Sequence, residues 1–246
     1  GGALMERHNV SISGAGKITG GEYGDVRIAG SGRVDGDITA EEFCISGSGR
    51  VQGNTKAREI TVSGSAKFAG RVEADVLETS GSCGIDGDAE VKEFRCSGSQ
   101  RVGGKLRAHY VRASGSLQVG QDVEADVFTS SGKFEIGGLL SADRVEAKLV
   151  GNSRAREIGG ERIEVHTGPG FSLGINLAGL RLGRFATGSL TAETIEGDTV
   201  DLEATEAQVV RGKVVRIGPG CRIGWVEYTD SLEVHPEAEV GERVER

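Results

Sequence analysis

Hydrophobic and polar residues alternate along this chain in short segments that recur with a constant period of about 17 residues. Seven glycines in Ser-Gly-Ser-like turns mark the period: Gly30, Gly47, Gly64, Gly81, Gly98, Gly115 and Gly132. Counted from each glycine as position 1, apolar side chains recur at positions 5, 9, 11, 14 and 16. Alternation with a period of two is typical of a strand with one buried face. Residues 30–148 are therefore predicted to form regular repeats with three short strands in each.

Three strands per repeat predict one coil of a three-sided parallel β-helix, with coils stacked about 4.8 Å apart. Glycine at position 1, and at position 7 in six of the seven repeats, as at Gly36, is expected to make the corners, because a turn with φ > 0 costs glycine least. Val34, Val51 and Phe68 share position 5 and should lie one above another in the core. One coil buries too little apolar surface to offset the entropy of its own chain, so the stack as a whole is expected to provide the stability.

The remaining residues are predicted to continue the same solenoid, so that residues 1–246 form a single continuous β-helix. At about 17 residues per coil this gives roughly 12 to 14 coils. Residues 1–29 are predicted to form an irregular coil and cap, because Val10 and Ile12 precede Val26 and Ile28 by one residue less than the full period.

Residues 149–213 leave two interpretations open. Leu180 follows Ile163 by one full period, which favours coils with altered corners. The alternative is an inserted hairpin at about residues 171–185. In residues 214–246 the period returns, with Leu232 one period after Val215, and this segment is predicted to form the last coils and a charged cap.

Composition agrees with many corners around a slender core, with 41 glycines, 3 prolines and 4% aromatic residues. The net charge of −8 argues against nonspecific nucleic-acid binding. No apolar run is long enough to cross a bilayer and no export signal is visible, so neither a membrane span nor secretion is expected. The 4 cysteines lie without a CxxC motif, which favours free thiols in a reducing cytoplasm.

The ends of a β-helix are its predicted sites of self-association. Internal strands pair on both sides, whereas the first and last coils expose backbone that can pair with another chain unless it is covered. The predicted residues are Val10, Ile12, Val26 and Ile28 at the amino-terminal end, and Leu232, Val234 and Val240 at the carboxy-terminal end. The alternative is a capped monomer or dimer that acts as an interaction protein.

A ladder of cations is predicted at position 4, where Arg33, Arg50 and Lys67 follow one another and Arg101 lies further along. Such a ladder suits an acidic partner protein or anionic lipid. The alternative is a solvated face whose charge is offset by neighbours such as Asp35.

An enzyme is not predicted. Acyltransferase β-helices have hexapeptide repeats and a correspondingly different coil length, and pectinolytic ones cluster aspartates on one face. The histidines are scattered here, Asp126 and Asp143 are the only aspartates on adjacent coils at position 12, and no glycine-rich phosphate loop precedes a helix. We therefore expect no catalytic residue, metal site or cofactor. A carbohydrate-active enzyme and an exported adhesin are the alternatives from other functional classes.

Serial units of the form Ser-Gly-Ser-[Gly/Ala]-[Arg/Lys]-[Val/Phe]-x-Gly, as in residues 46–53 and 63–70, resemble the bactofilins, the polymer-forming cytoskeletal proteins of bacteria. Residues 210–241 resemble longer bactofilin-like proteins of Bacillus-type bacteria. The resemblance implies a right-handed β-helix without catalytic residues that assembles end to end into nonpolar filaments. It also implies a scaffold for other cytoplasmic or membrane-associated proteins in cell shape, polarity or motility, located in the cytoplasm or at the inner face of the membrane.

Overall fold

The structure, a computed structural model, describes residues 7–168 and 188–246. In these residues every regular element is a strand, and 20 strands form one parallel sheet. The sheet winds into a β-solenoid of about 13 turns, about 17 residues apart. The predicted parallel β-helix is therefore confirmed. Each regular coil has two strands rather than the three predicted, because positions 9–16 form one continuous strand, as in Thr55–Val62.

The strands follow the repeats along the chain. The first coils contain β1 (Val10–Ile12), β2 (Ala15–Glu22), β3 (Asp25–Ile28) and β4 (Ser31–Ile45). The regular block contains β5 (Ser48–Val51), β6 (Thr55–Val62), β7 (Ser65–Phe68), β8 (Val72–Thr79), β9 (Ser82–Ile85), β10 (Ala89–Cys96), β11 (Ser99–Val102), β12 (Leu106–Ala113), β13 (Ser116–Val119) and β14 (Val123–Ser130). The last coils contain β15 (Lys133–Leu149), β16 (Asn152–Thr167), β17 (Ser189–Leu202), β18 (Thr205–Ile217), β19 (Arg222–Val234) and β20 (Glu239–Glu245).

Strand pairing keeps each repeat position in one column, which we define as the residues that pair in register from coil to coil. Val34 pairs with Val51, and Val51 with Phe68, and all three are 0% exposed. The ring of Phe68 also meets the ring of Phe43 edge to face, with centroids 6.1 Å apart. The predicted shared apolar axis is therefore confirmed.

The corner glycines at position 1 are required for a different reason from the one predicted, whereas Gly36 at position 7 has the predicted positive φ. Among the described glycines only Gly21, Gly36, Gly151 and Gly220 have a positive φ, so the glycines at position 1 do not adopt it. Instead, a Cβ atom at Gly64 would lie well inside 3.0 Å of the carbonyl oxygen of the preceding corner glycine. The same clash recurs along the whole glycine column. Glycine is needed because successive coils approach too closely here for any side chain.

At a second corner, position 8, side-chain oxygens accept hydrogen bonds from the backbone of the next coil. The Asp37 carboxylate accepts a hydrogen bond from the backbone N–H of Asn54, 2.7 Å away on the next coil. Asp122 accepts one from the N–H of Leu139 at 2.9 Å, and this bond, with the neighbouring Lys105, lowers the pKa of the Asp122 carboxyl. These side chains therefore satisfy backbone donors at the corners of the following coil.

The coils beyond residue 148 are less regular than those before it. Val145 pairs with Ile163, one residue beyond a full period, as the sequence predicts. Ile163 then pairs with Val200, an offset of more than two periods. The alternative hairpin at 171–185 lies outside the described residues, as does Leu180 itself. From Val200 onward the column continues to residues 215 and 232.

Burial divides the four cysteines, all of which are free thiols. Cys83, Cys96 and Cys221 are at most 2% exposed, whereas Cys44 is partly exposed on the outer face. Burial raises the pKa of Cys83 to about 12 and that of Cys96 and Cys221 to about 11. The three buried thiols are therefore protonated and shielded in the folded protein.

The glycine column can be tested by comparing two alanine substitutions. Gly64→Ala is expected to lower the free energy of unfolding by about 1–3 kcal/mol, because its Cβ would force two coils apart. Gly84→Ala is the matched control, since its Cβ would meet nothing within 4 Å, and it should leave stability unchanged or slightly raised. Guanidinium unfolding followed by circular dichroism measures both. Equal destabilisation by the two variants would refute the steric explanation.

The thiols predict a reactivity pattern. At pH 8 a disulfide reagent should modify Cys44 in a first, more rapid phase because its side chain is partly exposed, and the other three only after denaturation. Burial also raises the pKa of Cys44, so this phase should be slower than for a fully exposed thiol. Cys44→Ser should remove the rapid phase, and rapid modification of two or more native thiols would contradict the burial described here. Since the buried thiols hold their protons above the unfolded pKa of 9.0, their contribution to stability should fall as pH rises above that value.

Candidate functional site

The amino-terminal end of the described solenoid is formed by β1 and β2. Among the described strands β1 pairs only with β3, and β2 only with β4, so one edge of each has no described partner. Val10 is half-buried and Ile12 is 8% exposed in this outermost coil. Val26 and Ile28 lie one coil further in and are at most 1% exposed. Of the four predicted residues, only the first two therefore belong to the terminal coil.

The carboxy-terminal end is formed by β20 and the last segment of β19. Within the described residues β20 pairs only with β19, and residues 231–234 pair only with β18. Leu232, Val234 and Val240 are partly buried and pack against the core. All three predicted residues therefore lie at the end of the stack, where their outward sides meet no further described coil.

Two terminal residues were not predicted as part of these surfaces. Ile18 continues the position-5 column below Val34 and is partly buried against the core. Arg243 pairs with Val226, so an exposed arginine occupies an inward column in the last coil. The spacing between Ile18 and Val34, one residue short of the period, could have placed Ile18 in the position-5 column. The position of Arg243 depends on the irregular coil lengths before it, which the repeat pattern did not give.

The basic ladder is longer than predicted. Arg33, Arg50 and Lys67 are register partners on successive coils, and Lys17 precedes them. Gly84 then separates Lys67 from Arg101, the fourth predicted member. With the serines and small residues beside them, the first four cations line a shallow groove of about 540 Å³.

The charges along this ladder are only partly offset. Asp35 pairs with Lys17 and accepts a 2.8 Å hydrogen bond from Arg33 Nε, and these two cations lower the pKa of its carboxyl. Lys67 lies 3.3 Å from Asp86. Neither Arg50 nor Arg101 forms an ion pair with a described residue. The ladder therefore presents a net positive strip on a chain whose net charge is −8.

A second groove, of about 530 Å³, runs along another face. Small residues of position 11 form its floor, and its walls carry pairs of opposite charge on neighbouring coils: Lys56 with Glu73 at 3.4 Å, Lys92 with Asp75 at 2.8 Å and Arg107 with Glu124 at 3.0 Å. His109 Nδ1 lies 2.8 Å from the Asp126 carboxylate. Asp126, which shares position 12 with Asp143, therefore contacts His109 on the preceding coil. Among the described residues no group of three His, Cys, Asp or Glu side chains could hold a metal ion.

Known protein sequences resemble this chain over part of its length. The family model for bactofilin, described as polymer-forming cytoskeletal, matches residues 2–107. Two proteins of Bacillus subtilis strain 168, both described as uncharacterized, are similar. YhbE is 45% identical over 103 residues, which are 42% of this chain and 40% of the relative, and YhbF is 55% identical over 56 residues, which are 23% of this chain and 24% of the relative.

These matches span less than half the length of either curated relative. No solved structure matches the chain significantly. None of the described residues forms a helix long and apolar enough to cross a bilayer. The resemblance first seen in the Ser-Gly-Ser units is confirmed by the bactofilin family model, which matches residues 2–107 of this chain.

Proposed function

We propose that the protein is a cytoskeletal scaffold of the bactofilin type that associates with further copies of itself through the ends of its solenoid. The observation that carries the proposal is that both described ends combine unpaired strand edges with apolar side chains of the core columns. Such edges can template pairing with another chain. The description of the matched family as polymer-forming supports the same conclusion.

The lateral faces favour end association over side-by-side packing. Their outward columns carry charged side chains that pair with one another across coils, as Lys56 does with Glu73 and Arg107 with Glu124. Packing two such faces together would desolvate these charges, whereas stacking the ends buries apolar residues and adds backbone hydrogen bonds. The proposed mechanism is mechanical and needs no catalytic residue or cofactor.

A rod of this kind can organise other proteins by presenting fixed ladders of side chains. We propose that it acts in the cytoplasm or at the inner face of the membrane, in cell shape, polarity or motility. The partly unpaired cations of the basic ladder support an additional contact with an anionic lipid surface. Each Lys or Arg near such a surface contributes about 1 kcal/mol at physiological ionic strength.

End association is tested by placing a charge in the core column at each end. Val10→Glu and Val234→Glu should each weaken self-association at tens of micromolar protein by about tenfold or more, because stacking would bury an unpaired carboxylate. Val150→Glu is the matched control, since Val150 is 56% exposed midway along the stack. Sedimentation velocity measures all three variants, and negative-stain microscopy reports their polymers.

Two outcomes would count against this proposal. A wild-type chain that is a monodisperse monomer at these concentrations would favour the capped interaction protein over a scaffold. Polymers that form equally well in both end variants would show that assembly does not use the ends.

The lipid contact is tested by reversing charge on the basic ladder. The double variant Arg50→Glu/Lys67→Glu should bind vesicles containing phosphatidylglycerol several-fold more weakly than wild type at low salt. Lys56→Glu/Arg107→Glu reverses the same number of charges on another face and should keep most of the binding. Vesicle co-sedimentation measures both, with neutral phosphatidylcholine vesicles as a blank. Equal loss in the two double variants would indicate a dependence on net charge alone.

A further inference from the structure

The basic ladder places like charges directly above one another. Arg33, Arg50 and Lys67 are register partners on successive coils, about 4.8 Å apart. Like charges directly opposite each other destabilise a pair of strands. In the second groove, neighbouring coils instead present opposite charges, as Lys56 does to Glu73. An anion bound along the ladder would therefore remove a repulsion that the chain itself only partly offsets.

Arg50, at the centre of the ladder, has no carboxylate beside it. The cation of the preceding coil pairs with Asp35, and the cation of the following coil lies 3.3 Å from Asp86. Arg50 is exposed and forms no ion pair with a described residue, and the position-6 residue of its own coil, Gln52, is uncharged. The guanidinium group of Arg50 is therefore available to an external anion.

A column of serines runs beside the ladder. Ser31, Ser48 and Ser65 occupy position 2, are exposed and pair in register from coil to coil. Positions 2 and 4 are two residues apart on one strand, so their side chains leave the same face about 6.6 Å apart. None of these three hydroxyls forms a hydrogen bond with a described residue, whereas those of Ser97 and Ser114, across the glycine corner, lie 3.5 Å from backbone carbonyls.

One serine and one cation on the same coil form a unit suited to a phosphate group. A phosphate between the two columns can accept hydrogen bonds from the serine O–H and from the guanidinium or ammonium group at ordinary lengths of about 2.8 Å. Its remaining oxygens can accept from the cation of the next coil. A carboxylate has only two oxygens, both in one plane, so the arrangement favours phosphate.

These units are confined to part of the column. The complete ones are Ser31 with Arg33, Ser48 with Arg50, Ser65 with Lys67 and, separated by one coil, Ser99 with Arg101. Elsewhere position 4 changes to Gly84 and Gln118, beside Ser82 and Ser116. Three units are therefore adjacent, and the same serine column also contains coils that lack the cation.

We infer that the three adjacent units bind the phosphate groups of anionic lipids, so that the protein lies along a membrane through this one face. The inference rests on the lipid contact proposed above and assigns its ligand group. Each unit is shallow and exposed, so one soluble phosphate would bind it weakly. A membrane presents many phosphates in one plane, and the three units on a straight face can bind them together.

Removing the hydroxyls tests the units without changing charge. Ser48→Ala/Ser65→Ala should weaken binding to vesicles of phosphatidylglycerol and phosphatidylcholine about threefold to tenfold, because two units lose a hydrogen-bond donor. Ser48→Thr/Ser65→Thr keeps both hydroxyls and suits a strand, so it should bind like wild type. Vesicle co-sedimentation at low salt measures the dissociation constants, and circular dichroism verifies that each variant is folded.

The matched control lies in the same serine column. Ser82→Ala/Ser116→Ala removes two hydroxyls from coils without a position-4 cation and should leave vesicle binding unchanged. Equal loss in this control and in Ser48→Ala/Ser65→Ala would overturn the phosphate units. Unchanged binding by Ser48→Ala/Ser65→Ala, with loss on Arg50→Glu/Lys67→Glu, would also overturn them. The lipid contact would then stand as an attraction between net charges alone.

A soluble polyanion is the other source of phosphate. Inorganic polyphosphate, added at the same phosphate concentration as the vesicles, should not displace the bound protein. Displacement at that ratio would assign the units to a soluble polyanion and overturn the membrane assignment. Absence of wild-type binding to the vesicles would overturn the proposed lipid contact itself, whereas end association is measured separately by sedimentation velocity.

Discussion

The close contact between the backbones of successive coils is the constraint on which this structure depends. At the glycine column the carbonyl oxygen of one corner lies where the next corner would carry its Cβ, and Ser48 N–H donates to the Gly30 carbonyl across the same gap at 2.8 Å. A coil holds its shape only while its neighbours occupy these positions. Folding and stability are therefore properties of adjacent coils in contact, and a change in one coil is transmitted first to the two beside it.

The same constraint explains why the ends differ from the sides. Along the sides many outward charges have partners of opposite charge a coil away, so that networks such as Asp35 with Lys17 and Arg33 form without any partner molecule. At the ends the coil-to-coil contact is incomplete in the described residues, although apolar columns reach Leu232 and Val234. An edge of this kind is usually protected, and inward-pointing charge is one of the known devices. Arg243 occupies such a position, which would restrain association without preventing it.

Much of the fold could be predicted because the sequence repeats its packing. Position 5 identified the stacked Val34, Val51 and Phe68 from spacing alone. Spacing could not show that the corner glycines avoid a backbone clash, because that depends on the distance between coils. It also failed where the pairing offset more than doubles at Val200. The inward position of Arg243 was hidden by the loss of one residue between positions 5 and 9, which begins at Ala155 and Ile158. The sequence identified apolar residues near both candidate ends, but it did not show that Val26 and Ile28 lie one coil further in than Val10 and Ile12.

The basic ladder at position 4 connects the proposed lipid-binding face with the proposed amino-terminal association surface. Lys17 is both the first member of the basic ladder and a residue of the amino-terminal coil, which the proposed end association would cover. Its ammonium group is already shared with Asp35, so it has limited capacity for a further anion. An anionic surface bound along the ladder and a copy stacked on that end would therefore compete for the same cation. Binding of an anionic surface to the ladder would then weaken self-association at the adjacent end of the solenoid. Arg50, two coils further in, would contact the anionic surface alone.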